Sequence, residues 1–568
     1  MPNKSRRAKN VPGSQQNTLG SGGIGNNGTT NNNHDYSQGK TIDNSNNTAT
    51  YYGSNHYNQT TYHLNTPSGP QPIDILRERA CAGAAFDSAE RGEPPRCHPD
   101  TRTAVLSSGT SWVDNLNAIC FFMWITGWAG VGKSAILQTL AEVYQRKMRL
   151  AASFFFFQAS DNRNTISSFV ATIAEQLTHS VPGAREIILH KIASNPTIFV
   201  DKSFRSQWLT LVVDTLCRCR SAVPRHMAPM LIVIDGIDEI ASREEQRLLL
   251  QTILDSAQQL GPSYKFLIAS RPEQQIGEVF QAFRLAEESR IELGDDGDTQ
   301  ADLRVFLQAS FSRIHQAHNF QSSSPTQAWP GQNVIEHLVN KASGQFVYAS
   351  TVIRVLESFD NPQGALKIIL KGRDVQAKSF KELDYLYLLT MERVEKSMQK
   401  EHQHLLHHLL VCIYMHLVRE VGDELHLLHP EKSNKDLLKS LSAKLDPILG
   451  TNGEYRHKSF IEFLIQPSAP HLFSINSWHL SGVISLCLPV FLENNRDKTP
   501  LLCFVERASP TPDLVSCLSK MPEGELSSWD YKDGCKANDE YLWDNKWLLG
   551  WLGYQFSVRI QRLQKVEE

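Results

Sequence analysis

An α/β fold, a parallel sheet flanked by helices followed by a mainly helical second half, is predicted by three observations. First, four short apolar runs at 121–126, 152–157, 231–235 and 266–270 end in turn or polar residues, as strands covered on both faces do, and 291–293 is a candidate fifth. Second, helical periodicity fills the intervals: Ile166, Phe169, Val170, Ile173, Ala174 and Leu177 share one helix face, and Leu248, Leu249, Ile253, Leu254 and Ala257 share another. Third, the strand pattern fades beyond about residue 297, where spacings such as Leu405, Leu406, Leu409, Leu410, Ile413 and Leu417 read as helix, with loops expected at 322–330 and 360–364.

At 568 residues the chain exceeds the roughly 250–300 residues one core can serve, so several folded units are expected. A formal net charge of -3 gives no general attraction to phosphate backbones or anionic membranes, so nucleic acid is not an expected partner. Apolar stretches such as 118–125 and 230–234 fall short of the roughly 20 residues a membrane span needs, and no apolar run follows Lys4, Arg6, Arg7 and Lys9 to act as a signal-peptide core. A cytoplasmic protein is expected. The 10 cysteines lack metal-ligand spacing, with Cys217 and Cys219 forming only a CxC, and read as reduced structural thiols.

Residues 1–72 are rich in Asn, Gly, Ser, Thr and Tyr and hold almost no aliphatic side chains, so they are expected to form a disordered arm. Tyr51, Tyr52, Tyr57 and Tyr62 among Asn44, Asn46, Asn47, Asn55 and Asn58 are also a composition that stacks into cross-β ladders, leaving inert linker and self-association segment both open. Near the other end, Trp543, Trp547 and Trp551 recur at one-turn spacing and read either as core packing or as a partner surface.

Gly127-Trp128-Ala129-Gly130-Val131-Gly132-Lys133-Ser134 fits G-x-x-x-x-G-K-[ST] in the required context: an apolar strand ends at Thr126, and a helix with Ile136, Leu137, Leu140 and Val143 follows. Glycines let the backbone turn tightly enough for successive N–H groups to converge on phosphate oxygens, and the helix N-terminus adds its positive end. Lys133 is the candidate for the β and γ phosphates, and Ser134 for Mg2+. Asp235, closing the run Leu231-Ile232-Val233-Ile234, is the acidic partner that anchors the magnesium shell. Asp238 and Glu239 add two acids at the same edge, either to orient water or as acids favoured by a helix N-terminus. Arg271, after strand 266–270, is a candidate γ-phosphate sensor, or a partner for one of those acids.

The P-loop, the strand ending Asp235-Gly236-Ile237-Asp238-Glu239 and the strand ending Ser270-Arg271-Pro272 together resemble the NACHT family of STAND signalling NTPases. More closely, the stretch Ala85-Phe86-Asp87-Ser88-Ala89-Glu90-Arg91, the stretch from Pro94 to Arg102 and Ala152-Ser153-Phe154-Phe155-Phe156 resemble fungal NOD-like receptors with a nephrocystin-like NTPase module. The resemblance implies these segments: 1–72 arm, 73–115 pre-NTPase helical linker, 116–296 NTPase core, 297–372 small helical domain, 373–475 winged-helix-like domain and 476–568 helical tail. Gly344-Gln345-Phe346-Val347-Tyr348-Ala349 resembles the small helical domain, and His457-Lys458-Ser459-Phe460-Ile461-Glu462-Phe463-Leu464 the winged-helix segment.

By that resemblance His457 reaches the β phosphate of bound ADP and holds a closed state, although an ordinary helix-start histidine reads the same way. It also implies ATP/ADP with Mg2+ as ligands and a slow hydrolysis that resets the switch. An unknown protein or ligand trigger, homo-oligomerisation when ATP is bound, and a role like innate immunity or heterokaryon incompatibility are implied as well. Adenine rests on the family too, since no Asn-Lys-x-Asp element follows the sheet motifs. A nucleotide-bound scaffold without meaningful turnover is the alternative, and a remodelling ATPase with an arginine finger from a neighbour is a third.

Overall fold

The structure is a computed structural model describing residues 39–43, 48–52 and 60–63 and, with short breaks, 70–318, 329–371, 382–414, 441–449, 455–465, 473–493 and 511–519. The chain divides into two compact units, residues 1–70 and 71–568. In the first, three strands, β1 (Gly39–Asp43), β2 (Thr48–Tyr52) and β3 (Thr60–His63), pair antiparallel in that order. The arm expected to lack structure therefore carries a local meander, consistent with the strand preference of its Thr and Tyr residues.

The second unit is built on a five-stranded parallel sheet: β4 (Phe122–Gly127), β5 (Leu150–Phe155), β6 (Met230–Asp235), β7 (Tyr264–Ser270) and β8 (Arg290–Leu293), in the order β5-β6-β7-β4-β8. All five expected strands are present. The second runs two residues earlier than expected, so Phe156 and Phe157 lie beyond its end. Period-two alternation divides β4: Phe122 and Trp124 join one core, Met123 and Ile125 the other. β6 and β7 divide likewise, so both faces are apolar and the runs read as continuous.

The face carrying Met123 is covered by helices Thr103–Asp114 and Lys133–Arg146 through Val113, Ile136, Leu137, Leu140 and Tyr144. The opposite face is covered by helices Phe169–Ser180 and Arg243–Leu260 and by the π-helical stretch Trp208–Val213. Of the expected stripe, Leu249, Ile253 and Leu254 are buried, whereas Leu248 is 40% exposed and Leu250 takes a buried place instead. The segment expected as a linker is docked on this core: Leu76 of helix Pro72–Arg79 is buried within it, and buried Lys265 donates to the carbonyls of Trp112 and Asn115.

Beyond β8, helices Gly297–His318, Gln332–Ala342, Phe346–Glu357, Pro362–Lys371, Glu382–Lys396, Gln403–Tyr414, Ser459–Leu464, Ser477–Glu493 and Pro512–Ser519 share one core running from Leu303 to Leu514. The loop expected at 360–364 is cut short by the helix starting at Pro362, whose missing N–H costs nothing in a first turn. The expected boundary at 372 falls outside the described residues, as do Leu417, the loop at 322–328 and the tryptophans 543, 547 and 551. In the expected winged-helix segment the described residues form helices and one antiparallel bridge, Leu449 to Tyr455. No described helix is long and apolar enough to cross a membrane.

One close approach joins sheet and bundle. Gly344 has φ +78°, and a Cβ there would come within 2.9 Å of the Asp295 Cα. Gly344→Ala is therefore expected to lower stability by about 1–3 kcal/mol, measured by urea unfolding, whereas Gly297→Ala, with open space around it, should leave the midpoint nearly unchanged.

Candidate nucleotide site

The sheet order determines what meets at its carboxyl edge. β7 lies between β4 and β6, with Ser270 level with Thr126 and Ile268 level with Ile234. The loop after β4, the acid closing β6 and Arg271 after β7 are thereby presented side by side.

The loop from Gly127 to Gly132 turns on glycines, Gly132 for its backbone conformation and Gly130 for want of room as well. Gly130 and Gly132 have φ of +77° and +99°, and a Cβ on Gly130 would lie 2.2 Å from Val347 Cγ1. The first intrahelical bond of the following helix runs from the Ile136 N–H to the Gly132 carbonyl, so the amides of Lys133, Ser134 and Ala135 stand outside the helical ladder. Lys133 Nζ donates to the carbonyls of Gly127 (2.7 Å) and Trp128 (3.1 Å). Burial lowers its pKa while Asp238 and Asp235 draw it back up. Trp128 itself is 70% exposed, so its contribution to the loop is its backbone.

Asp235 is buried at the end of β6, with Ser134 as hydrogen-bond partner, and burial pushes its carboxyl up to about 6. Its Oδ1 is buried without a hydrogen-bond partner. An orphaned carboxylate oxygen beside a serine hydroxyl is a donor set that suits a hard divalent cation, so these residues fit Mg2+. Gly236, at φ +75°, then turns the chain back. Asp238, in the following 3-10 turn, accepts from the Arg271 N–H (2.9 Å) and pairs with its Nε (3.2 Å). Asp238 is buried by this pairing, so it is not the solvated helix-start acid that its sequence also allowed. Glu239 accepts from the Gln158 N–H at 3.0 Å, and burial together with the charge of Asp238 pushes its carboxyl up to about 7.

Arg271 is doubly committed, since its Nη1 also pairs with Glu462 at 3.0 Å. That contact belongs to a larger one, in which the segment 455–464 crosses the sheet edge. Tyr455 packs its ring 5.3 Å from that of Phe157, and a cavity of about 190 Å³ is lined by Ala129 of the loop, Gln345 and Val347 of the bundle, and His457 and Glu462 of the segment. Val347 N–H donates to the Gly130 carbonyl at 3.1 Å. His457 Nδ1 accepts from the Ser459 N–H (3.2 Å) and pairs with Ser459 Oγ (2.7 Å), which in turn meets Tyr387 OH (2.8 Å). The ring is thus the neutral tautomer with its proton on Nε2, in keeping with a pKa pushed down to about 4 by burial and by Arg271.

The sequence-derived candidates Lys133, Ser134, Asp235, Asp238, Glu239 and Arg271 therefore gather at one edge, with His457 across the cavity. Reading the sequence missed two arginines. Arg102, left-handed at φ +54°, donates to the Val131 carbonyl (2.8 Å) and Thr299 Oγ1 (2.7 Å), while its N–H donates to Asp302 (3.0 Å). It ties the loop to helix Gly297–His318. Arg91 lies 3.7 Å over the Phe155 ring and donates to Gln138 Oε1 at 2.6 Å; burial pushes its pKa down to about 9, opposed by the charge of Asp235. The partners of Arg102 all lie far along the chain, and of those of Arg91 only the Phe86 carbonyl, which its Nη1 meets at 2.9 Å, is local.

This fold and site define a P-loop NTPase. A family model described as Nephrocystin 3, N-terminal, matches residues 101–271, from the pair Thr101-Arg102 through the P-loop and Asp235 to Arg271. No curated protein matches. Among solved structures, similarity is found to the Walker-type ATPase of Pyrococcus abyssi, at 12% identity over 64% of this chain and 93% of that one, with TM-score 0.32. AMPPCP-bound DnaA from Aquifex aeolicus matches at 11% identity over 65% and 99%, with TM-score 0.26. Cdc6p from Pyrobaculum aerophilum matches at 13% over 66% and 94%, with TM-score 0.31.

Arg102→Met should cost about 1–3 kcal/mol in urea unfolding, because it leaves the Val131 carbonyl and Thr299 Oγ1 without their buried donor while the backbone N–H to Asp302 is kept; an unchanged midpoint would contradict the tether. Glu239 has a sign that can be checked. Its pKa is raised from 4.5 to about 7, so between those values the folded protein binds the proton more tightly and stability falls as pH rises. In EDTA, Glu239→Gln should lose less stability than wild type when the pH is raised from about 5 to about 7, measured by parallel urea titrations.

Proposed function

We propose that this protein is an ATP/ADP-dependent switch of the NACHT/STAND class, held closed with ADP and opened by exchange for ATP. The observation that carries the reading is the crossing of segment 455–464 over the P-loop edge, with His457 and Ala129 lining one cavity and Glu462 bonded to Arg271. A segment so held senses whatever occupies the edge. Lys133 and the loop amides would bind the β phosphate, Ser134 and Asp235 would hold Mg2+, and neutral His457 would donate its Nε2 proton to a diphosphate. Bound Mg2+ supplies charge neutralisation to the β and γ phosphate oxygens.

Glu239 is the group to accept a proton from an attacking water. With a carboxyl near 7 it is only partly ionised at neutral pH, which suits slow turnover that resets the switch. Moving a switch from 1:99 to 99:1 takes roughly 5.5 kcal/mol of differential binding, within reach of a few charge-assisted phosphate contacts. Opening would free the surfaces for homo-oligomerisation in response to a protein or ligand trigger, in the cytoplasm, as in innate-immunity or heterokaryon-incompatibility receptors. The double pairing of Arg271 favours one other reading, a nucleotide-bound scaffold with no meaningful turnover.

Nucleotide released from denatured protein should be ADP, and particle mass should rise on adding ATP and Mg2+. Lys133→Ala should abolish the bound nucleotide, whereas Glu239→Gln should retain it and lose turnover. A scaffold predicts constant mass and no effect of Glu239→Gln on assembly, and an empty protein with unaltered mass sinks the switch.

A further inference from the structure

We propose that Glu462 is a carboxylate stand-in for the γ-phosphate: it occupies Arg271 in the closed conformation and competes with a triphosphate, but not a diphosphate, for that guanidinium. The inference rests on the nucleotide-switch reading above and adds the device by which the two nucleotides are told apart.

The geometry is particular. β7 is flanked by the P-loop strand on one side and by β6 on the other, so Arg271 stands between the loop that would hold the β phosphate and the Asp235 that would hold the metal. A phosphate chain running from loop to metal ends in front of Arg271. Asp238 holds the Arg271 backbone N–H (2.9 Å) with one oxygen and the guanidinium Nε (3.2 Å) with the other, while Glu462 holds Nη1 at 3.0 Å. The Glu462 carboxylate is only half-buried, at 42% exposure, while Arg271 is at 20%, so the acid is the displaceable member. Both competitors are anions presenting oxygens to a planar fork, and one guanidinium edge cannot serve both fully.

The positive charge of Lys458 also lies near Glu239 and Glu273, and Tyr455 packs on Phe157, so the Arg271–Glu462 pair is one of few polar ties holding the segment at this edge. A diphosphate ends short of Arg271 and leaves the pair intact. Triphosphate binding and release of segment 455–464 are thereby coupled through one residue.

The test is a double-mutant cycle on the full chain, titrating ADP and the non-hydrolysable triphosphate AMP-PNP with Mg2+ into wild type, Glu462→Gln, Arg271→Gln and the double variant. Glu462→Gln should tighten AMP-PNP by about ten-fold and leave ADP within about two-fold. In the Arg271→Gln background the same substitution should change neither. Equal tightening of both nucleotides, no tightening, or an effect that persists without Arg271 would overturn the proposal. Should Glu462→Gln melt early, Glu462→Asp, which keeps the charge but withdraws it by one methylene, is expected to favour AMP-PNP in the same direction; an unchanged ratio would count against it. Wild type that binds neither nucleotide overturns the switch reading itself, a failure distinguishable from binding that ignores Glu462.

Discussion

The pairing of Asp238 with Arg271 is the constraint on which the rest of the site depends. It is made twice, through backbone and side chain, and it bonds the turn after β6 to the end of β7. Because β7 lies between the P-loop strand and β6, this pairing fixes Arg271 at the sheet edge between the strands that lead to Lys133 and to Asp235. It also aims the remaining edge of the guanidinium outward, where Glu462 meets it. Without Asp238 the arginine would be a flexible surface charge, and surface pairs of that kind are worth little. Fixed by Asp238 and shielded by segment 455–464, it becomes a junction between sheet and bundle.

Around that junction the bundle touches the loop itself. Val347 hydrogen-bonds the Gly130 carbonyl and leaves no room for a side chain there, while Arg102, lying over the neighbouring Phe346 ring, reaches the Val131 carbonyl. Two consecutive loop carbonyls are thus held by groups that also contact the helical half. A change in loop conformation is felt directly by the bundle, with no long chain of intermediates required. Burial moves Glu239, His457 and Asp235 towards their neutral forms. Removal from water strengthens the interaction of these groups with any charge brought to them, and a phosphate chain is such a charge.

How much of this was legible depended on how local the cause was. The P-loop is one continuous motif, and strands buried on both faces read as unbroken apolar runs, so Phe122–Gly127 and Met230–Asp235 were plain in the sequence. The strand order was not legible, because parallel pairing is decided by crossovers that no motif records. Leu248 misled because the buried stripe flanks Leu249 on its other side, through Leu250, and three leucines in a row leave a 3.6-residue period free to choose either. Arg102 escaped notice because its partners lie far away in sequence, Thr299 being 197 positions on, and Arg91 because Gln138, which ties it to the P-loop helix, is 47 positions on. Glu462 stood in a segment already singled out for His457, yet only the fold brings it to Arg271. The strands in the arm were hidden by a composition that speaks for disorder and for β-pairing alike.

The central claim is that segment 455–464 senses the occupant of the P-loop edge, and hydrogen–deuterium exchange of that segment is the most direct measurement. Amides in 455–464 are expected to exchange slowly with ADP and Mg2+ and distinctly faster with AMP-PNP and Mg2+, while those in β6 and β7 remain protected in both states. Identical exchange of 455–464 in the two nucleotides, with the P-loop protected by each, would contradict the account.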